Sequence, residues 1–212
     1  MLATVDLQGD AHHFLAVDND TACTHLRLNI YPDGGVARLR VYGEVRPDWN
    51  MVDENEVTDL FAIENGGRAV LCSDQHYGSK HNLNFAGRGV DMGDGWETAR
   101  RRGPGNDWVI LRLGHPGHIE KVEIDTAHFK GNYPDRAELR AALVTDENDL
   151  ESCSESWPVL LPESKLDMDM QHLFTDALQS LGAVSHVRLN IFPDGGVSRV
   201  RLHGKIASSK SA

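Results

Sequence analysis

The chain has 212 residues, 40% of them apolar and 25% charged, the balance of an ordinary soluble globular protein, and no stretch approaches the roughly 18 to 20 apolar residues of a membrane span. Its 21 Lys and Arg stand against 32 Asp and Glu for a net charge of −11, which repels polyanions and argues against nucleic acid as a partner. Cys23, Cys72 and Cys153 are widely spaced without a C-x-x-C pair, so neither a disulfide framework nor a cysteine zinc site is expected.

Residues 1–10 lack a basic region followed by an apolar core, so no secretory leader is expected and a cytoplasmic location is. Residues 25–45 read HLRLNIYPDGGVARLRVYGEV, and residues 186–206 read HVRLNIFPDGGVSRVRLHGKI. Over half the positions are identical, and His12 and Phe14 ahead of the first copy correspond to His172 and Phe174 ahead of the second. Leu26, Leu28 and Ile30 alternate with polar residues, as do Ala37, Leu39 and Val41, the period-two signature of strands with one buried face. Pro-Asp-Gly-Gly between them has the chemistry of a tight turn. Each copy is therefore expected to form a β-hairpin.

A repeat period of this length suits a whole domain rather than a solenoid unit. Residues 1–46 then read as the end of a first module, 47–53 as a linker, 54–206 as a complete second module and 207–212 as a disordered tail. Within the second module, 68–72, 108–113, 119–124 and 139–144 are short apolar or alternating runs bounded by turn residues, and are predicted strands. Residues 173–181, stopped by Gly182, have helical spacing and are the single predicted helix. The fold class expected is all-β, an antiparallel sandwich of jelly-roll, galactose-binding-like type, complete once and preceded by the C-terminal part of a second copy.

Three loops, 73–78, 87–103 and 125–134, combine Gly with Asp, Glu, His, Lys and Arg, the inventory for acid–base work and for holding an anion. Loops of a sandwich cluster at its ends, so distant segments can meet there. His76 and His128 each follow a predicted strand. Arg100, Arg101 and Arg102 could grip a carboxylate or form a solvated face. Trp96 could raise the pKa of Glu97 by desolvation or serve as a core plug. No cofactor is indicated. Gly87 to Gly95 lacks the spacing and context of a dinucleotide site, and no G-x-S-x-G elbow occurs. A divalent metal stays open, since Asp74, His76, Asp125 and His128 are suitable ligand types, although no fixed-spacing motif joins them.

The strings RLNIYPDGGVARLRVYG, NGGRAVLCSDQHYG, RGVDMGDGWETARRRGPGNDWVILRLG and VEIDTAHFKGNYPD resemble the allantoicase family, whose members hydrolyse allantoate to ureidoglycolate and urea in purine catabolism. The likeness runs from about Val5 to Gly204. It implies tandem jelly-roll repeats, a homo-oligomer and a place in allantoin degradation for nitrogen supply; the chain departs from the family pattern in lacking most of the first repeat. Allantoate is a small carboxylate with two ureido groups on one carbon. For such a substrate Glu97 or His128 is the expected acid–base group, Arg100 or Lys130 the expected carboxylate partner, Asp74 and His76 supporting groups, and Asn132 and Trp96 further binding residues. The alternative is a non-catalytic small-ligand-binding jelly roll or an inactive shortened relative.

Overall fold

A computed structural model describes residues 1–208 and divides the chain into two units, Met1–Gly43 and Glu44–Ala212. The second is built almost wholly of antiparallel strands: β1 (Thr58–Asp59), β2 (Arg68–Cys72), β3 (Trp96–Glu97), β4 (Asp107–Asp125), β5 (Arg136–Ala142), β6 (Val159–Lys165), β7 (Gln171–Phe174), β8 (Val184–Phe192), β9 (Gly196–Val197) and β10 (Arg199–Ile206). The predicted strands at 108–113 and 119–124 are two halves of the 19-residue β4. Its first half lies between β2 and β8, its second between β7 and β10. The change of partner falls at Gly117, which pairs with both Val184 and Ile206. Three residues earlier, a Cβ on Gly114 would lie 1.7 Å from the Asn65 carbonyl oxygen, so only glycine fits against that backbone.

Through β4 the hydrogen-bonded order β1-β10-β4-β8-β5-β6 curls over one core. Val109, Leu111, Leu139, Val187, Leu189 and Ile191 from one half meet Val122, Ile124, Val200 and Leu202 from the other, all at 4% exposure or less. Trp49 and Val52, in the segment read as linker, also pack on this core.

Two expectations fail here. Strands β8 and β10 do not form a hairpin: β8 pairs with β4 and β5, and β10 with β4 and β1. The Pro-Asp-Gly-Gly segment carries the chain from one half of the sandwich to the other, and each strand turns its apolar face to the shared core. The predicted helix at 173–181 is also absent; Gln171–Phe174 is strand β7, bonded to β4, and the one α-helix among the described residues is α1 (Leu150–Cys153). Backbone pairing with β4 outweighs the local i, i+4 spacing.

In Met1–Gly43 no residue is assigned to a helix or strand, and Leu26, Leu28, Ile30, Leu39 and Val41 are exposed. The turn itself is the same in both copies: Tyr31–Pro32 and Phe192–Pro193 are cis, and φ is 142° at Gly34 and 136° at Gly195. What the first copy lacks is the pair of neighbours that β4 and β5 provide for β8. The tail expected at 207–212 lies mostly outside the described residues, though the Ala207 N–H donates to the Pro116 carbonyl at 2.8 Å. No helix among the described residues is long and apolar enough to cross a membrane.

Candidate functional site

The three polar loops interlock around a small second sheet, in which β3 pairs with β9 through Trp96–Val197 and Glu97–Gly196. Trp96 is fully buried and its indole N–H donates to the Asp74 carbonyl at 2.8 Å. The Asp74 carboxylate accepts in turn from the backbone N–H groups of Ala99 at 2.6 Å and His76 at 3.2 Å. Loop 73–78 is thereby stitched to β3. Trp96 is a core plug and not a surface for substrate, which corrects its placement among the binding residues. The Asp74 carboxylate is engaged in holding backbone, while the His76 ring stays exposed with Tyr77 edge-on at 4.5 Å.

On the other side of β3, loop 125–134 closes against Glu97. Asn132 Nδ2 donates to Glu97 Oε1 at 2.5 Å, and the Gly196 N–H donates to the Asn132 carbonyl at 2.8 Å. The closeness of this packing explains the paired glycines of the repeat. A Cβ on Gly195 would lie 2.6 Å from the Asn132 carbonyl oxygen, and one on Gly196 would lie 2.0 Å from the Phe129 ring. Glu97 is half-buried, with its backbone bonded on both edges, to Gly78 and to β9. A carboxylate held this way, beside an amide and open on one side to solvent, can exchange a proton with a bound molecule.

His128 takes a left-handed conformation, φ 69°, and sits farther along the same loop. Its ring Nε2 donates to the Gly89 carbonyl at 2.8 Å, and its backbone N–H donates to Asp169 Oδ1 at 2.7 Å. That backbone bond, with Lys130 Nζ at 3.6 Å from Oδ2, holds the Asp169 carboxyl below the usual carboxylate range. Loop 87–103 therefore meets loop 125–134 at several points, Gly89–His128 and Glu97–Asn132 among them. Lys130 and Arg100 are exposed. Asp169 as the partner of Lys130 was not legible in sequence, because it lies between β6 and β7, far along the chain.

Sequence spacing also missed the ion pairs that stiffen these loops. Arg88 grips the buried Asp125 with two bonds, Nε to Oδ2 at 2.8 Å and Nη2 to Oδ1 at 3.0 Å. Buried Arg199 donates Nη2 to Asp94 Oδ2 at 2.8 Å. Arg101, the middle of the arginine run, donates its N–H to Asp194 Oδ2 at 2.9 Å and pairs its guanidinium with buried Asp107. The run is thus neither a solvated face nor a carboxylate clamp throughout. Among the described residues no three His, Cys, Asp or Glu side chains are grouped to hold a metal; of the ligand types noted in sequence, Asp125 is held by Arg88 and Asp74 by backbone.

A curled antiparallel sandwich carrying interlocked polar loops at one small sheet is a scaffold of the kind that presents a small-molecule site. The allantoicase repeat model matches residues 1–46 and 58–207, and the chain belongs to that family. It is 56% identical over 98% of its length to a protein of Pseudomonas fluorescens (strain SBW25) named "Probable allantoicase", and 57% identical over 97% of its length to one of that name from Pseudomonas paraeruginosa (strain DSM 24068 / PA7). It spans 63% and 62% of those two relatives. The solved allantoicase of Saccharomyces cerevisiae matches 70% of this chain and 43% of its own, at a TM-score of 0.61 and 43% identity. A fucolectin from striped bass serum shares the fold alone, at a TM-score of 0.54 and 16% identity over 70% of this chain.

Proposed function

We propose that the second unit carries an allantoicase-type site, hydrolysing allantoate to ureidoglycolate and urea in allantoin degradation. The observation that carries this reading is the Glu97–Asn132 bond between two polar loops, in a chain more than half identical to relatives named for that activity. The reaction breaks one C–N bond at the carbon bearing both ureido groups. The departing nitrogen takes a proton and leaves as urea, and a water oxygen takes its place.

Glu97 is our acid–base group, with Asn132 fixing its rotamer and contributing an amide to a ureido group. His128 is the second acid–base candidate, and the proton already placed on its Nε2 leaves Nδ1 as its basic atom. Arg100 and Lys130, both exposed cations beside these loops, are the partners for the substrate carboxylate. Asp74 and His76 support Glu97 through β3. We read 1–46 as the end of a first repeat, 47–53 as linker and 54–206 as a complete second repeat, in a cytoplasmic homo-oligomer.

A non-catalytic ligand-binding module is the competing reading, because this architecture also serves proteins without chemistry. Urea release from allantoate separates the two. The purified chain, assayed with and without chelator and added divalent metal, is expected to release urea; affinity for allantoate with no urea under any of these conditions would reassign it to binding.

A further inference from the structure

Strand β8 offers a second polar arrangement, on the face turned from the core. Val187, Leu189 and Ile191 point inward, so His186, Arg188 and Asn190 lie on the opposite side. The outer face of such a sheet is ordinarily wet. Here the three residues are only 2%, 4% and 6% exposed, and Arg188 bonds to α1 and to the turn after it. The same His-x-Arg-x-Asn string stands in the first copy as His25, Arg27 and Asn29.

Arg188 is fixed on most of its edges. Nε donates to Asn190 Oδ1 at 2.9 Å, Nη1 donates to Ser154 Oγ at 2.8 Å and to the Glu151 carbonyl at 3.2 Å, and the guanidinium lies 4.4 Å from the Trp108 ring centroid. The remaining nitrogen, Nη2, faces Glu155 Oε1 at 3.6 Å. Beside it opens a cleft of about 380 Å³ lined by Asn106, Glu138, Arg140, Glu155, Arg188 and Asn190. The other acids there are already matched. Glu138 takes both Arg140 Nε and Nη2 and the Asn190 amide, and Glu163 at the rim is held by Arg136. Burial lowers the Arg188 pKa from its ordinary value, as expected for a cation with little compensating charge.

We propose that this cleft binds a small carboxylate carrying a planar amide or ureido group, with Arg188 as its anchor and Glu155 as the internal carboxylate that the ligand displaces. Glu155 has a side chain 72% exposed, and an ion pair made by such a group is weak. A ligand carboxylate that reaches Arg188 inside the cleft forms a shorter, charge-assisted bond with a pre-positioned guanidinium. The Asn106 amide oxygen lines the same cleft and can accept from the N–H groups of a ureido end. The site uses none of the loop residues assigned to catalysis, and it does not depend on allantoate being the substrate.

The test is calorimetric titration of the full chain with carbamoylglycine, which has the carboxylate and one ureido group but no carbon bearing two. The wild type is expected to bind, Glu155→Gln to bind at least threefold more tightly because the internal competitor is gone, and Arg188→Gln to bind tenfold or more weakly, the scale of a lost charged hydrogen bond. No binding by the wild type, binding indifferent to Glu155→Gln, or weaker binding by that variant would overturn the proposal. Glu155 is a surface residue, so its variant decides the matter even where circular dichroism finds Arg188→Gln unfolded. Cleft binding together with absence of urea release from allantoate would uphold this site and defeat the hydrolase reading.

Discussion

Asn132 Nδ2 and Glu97 Oε1, 35 residues apart in sequence, are joined at 2.5 Å, and this bond ties the loop after β4 to strand β3. The Asn132 carbonyl meanwhile receives the Gly196 N–H, so one residue links the candidate acid–base group to the Pro-Asp-Gly-Gly segment of the repeat. Asn132→Ala removes the side-chain bond and keeps the backbone one. Turnover of allantoate is expected to fall about tenfold, from the looser placement of Glu97, while the melting temperature changes little. Equal loss of turnover and of melting temperature would assign Asn132 to structure alone.

The packing of the turn gives a sharper structural prediction. Gly196→Ala drives a Cβ into the Phe129 ring and is expected to destabilise the second unit by about 1–3 kcal/mol, the usual cost of overpacking a filled site. Gly35→Ala, the matching change in the first copy, meets nothing within 4 Å and is expected to leave the melting temperature unchanged. Thermal unfolding of the two variants side by side reads the difference.

Stability should fall on mild acidification. Burial lowers the pKa of His186, whose surroundings include Ser185 Oγ, Glu147, Arg112 and the Trp157 ring, and likewise of His203, which faces Asp59, Lys121, Glu123 and Arg201. Each imidazole protonates in the unfolded chain near the ordinary value of about 6.5 before it protonates in the folded one. The unfolded state therefore binds more protons below that pH, and stability present above it is lost as pH falls through 6.5 and on toward the folded values. Denaturant melts between pH 8 and pH 5 measure this slope, and His186→Gln is expected to flatten it. A slope unchanged in that variant would place the acid sensitivity elsewhere.

The strands were legible in sequence where apolar residues run together or alternate: β2 and the first half of β4 as short apolar runs, the second half of β4, β8 and β10 by alternation. Their partners were not, because alternation identifies the buried face and is silent on the neighbouring strand. The repeat consequently read as a hairpin, whereas its two strands flank β4 in opposite halves of the sandwich. Strand β7 was misread because Leu173, Ala177, Leu178 and Leu181 also satisfy a helical period. The polar loops were picked out by composition, yet Trp96 proved to be a core residue, and the Arg88–Asp125 and Arg199–Asp94 pairs join residues too distant in sequence for spacing to suggest. Arg188 and Asn190 were passed over because polar residues on an alternating strand normally face water.

The second unit is expected to fold by itself. Every residue of the main core lies at or beyond Trp49, so a chain starting at Glu44 is expected to melt at the same temperature as the whole. The apolar side chains of Leu26, Leu28, Ile30, Leu39 and Val41 are exposed, and such a row of unpaired strand-like residues favours association. Sedimentation of both forms at matched concentration is expected to show greater mass per chain for the full sequence. A lower melting temperature in the shorter form would mean that the first unit supports the second.

The most direct measurement of the central claim is urea release from allantoate by the wild-type chain and by Glu97→Gln, with melting temperatures recorded for both. Glu97 hangs from a two-residue strand whose backbone bonds do not involve the carboxylate, so the substitution leaves the fold intact. Turnover a hundredfold or more below wild type at an unchanged melting temperature is the predicted result, the scale of losing a general acid or base. Wild-type turnover in Glu97→Gln, in a chain that releases urea, would contradict the assignment and move the chemistry away from the loops that Glu97 and Asn132 join.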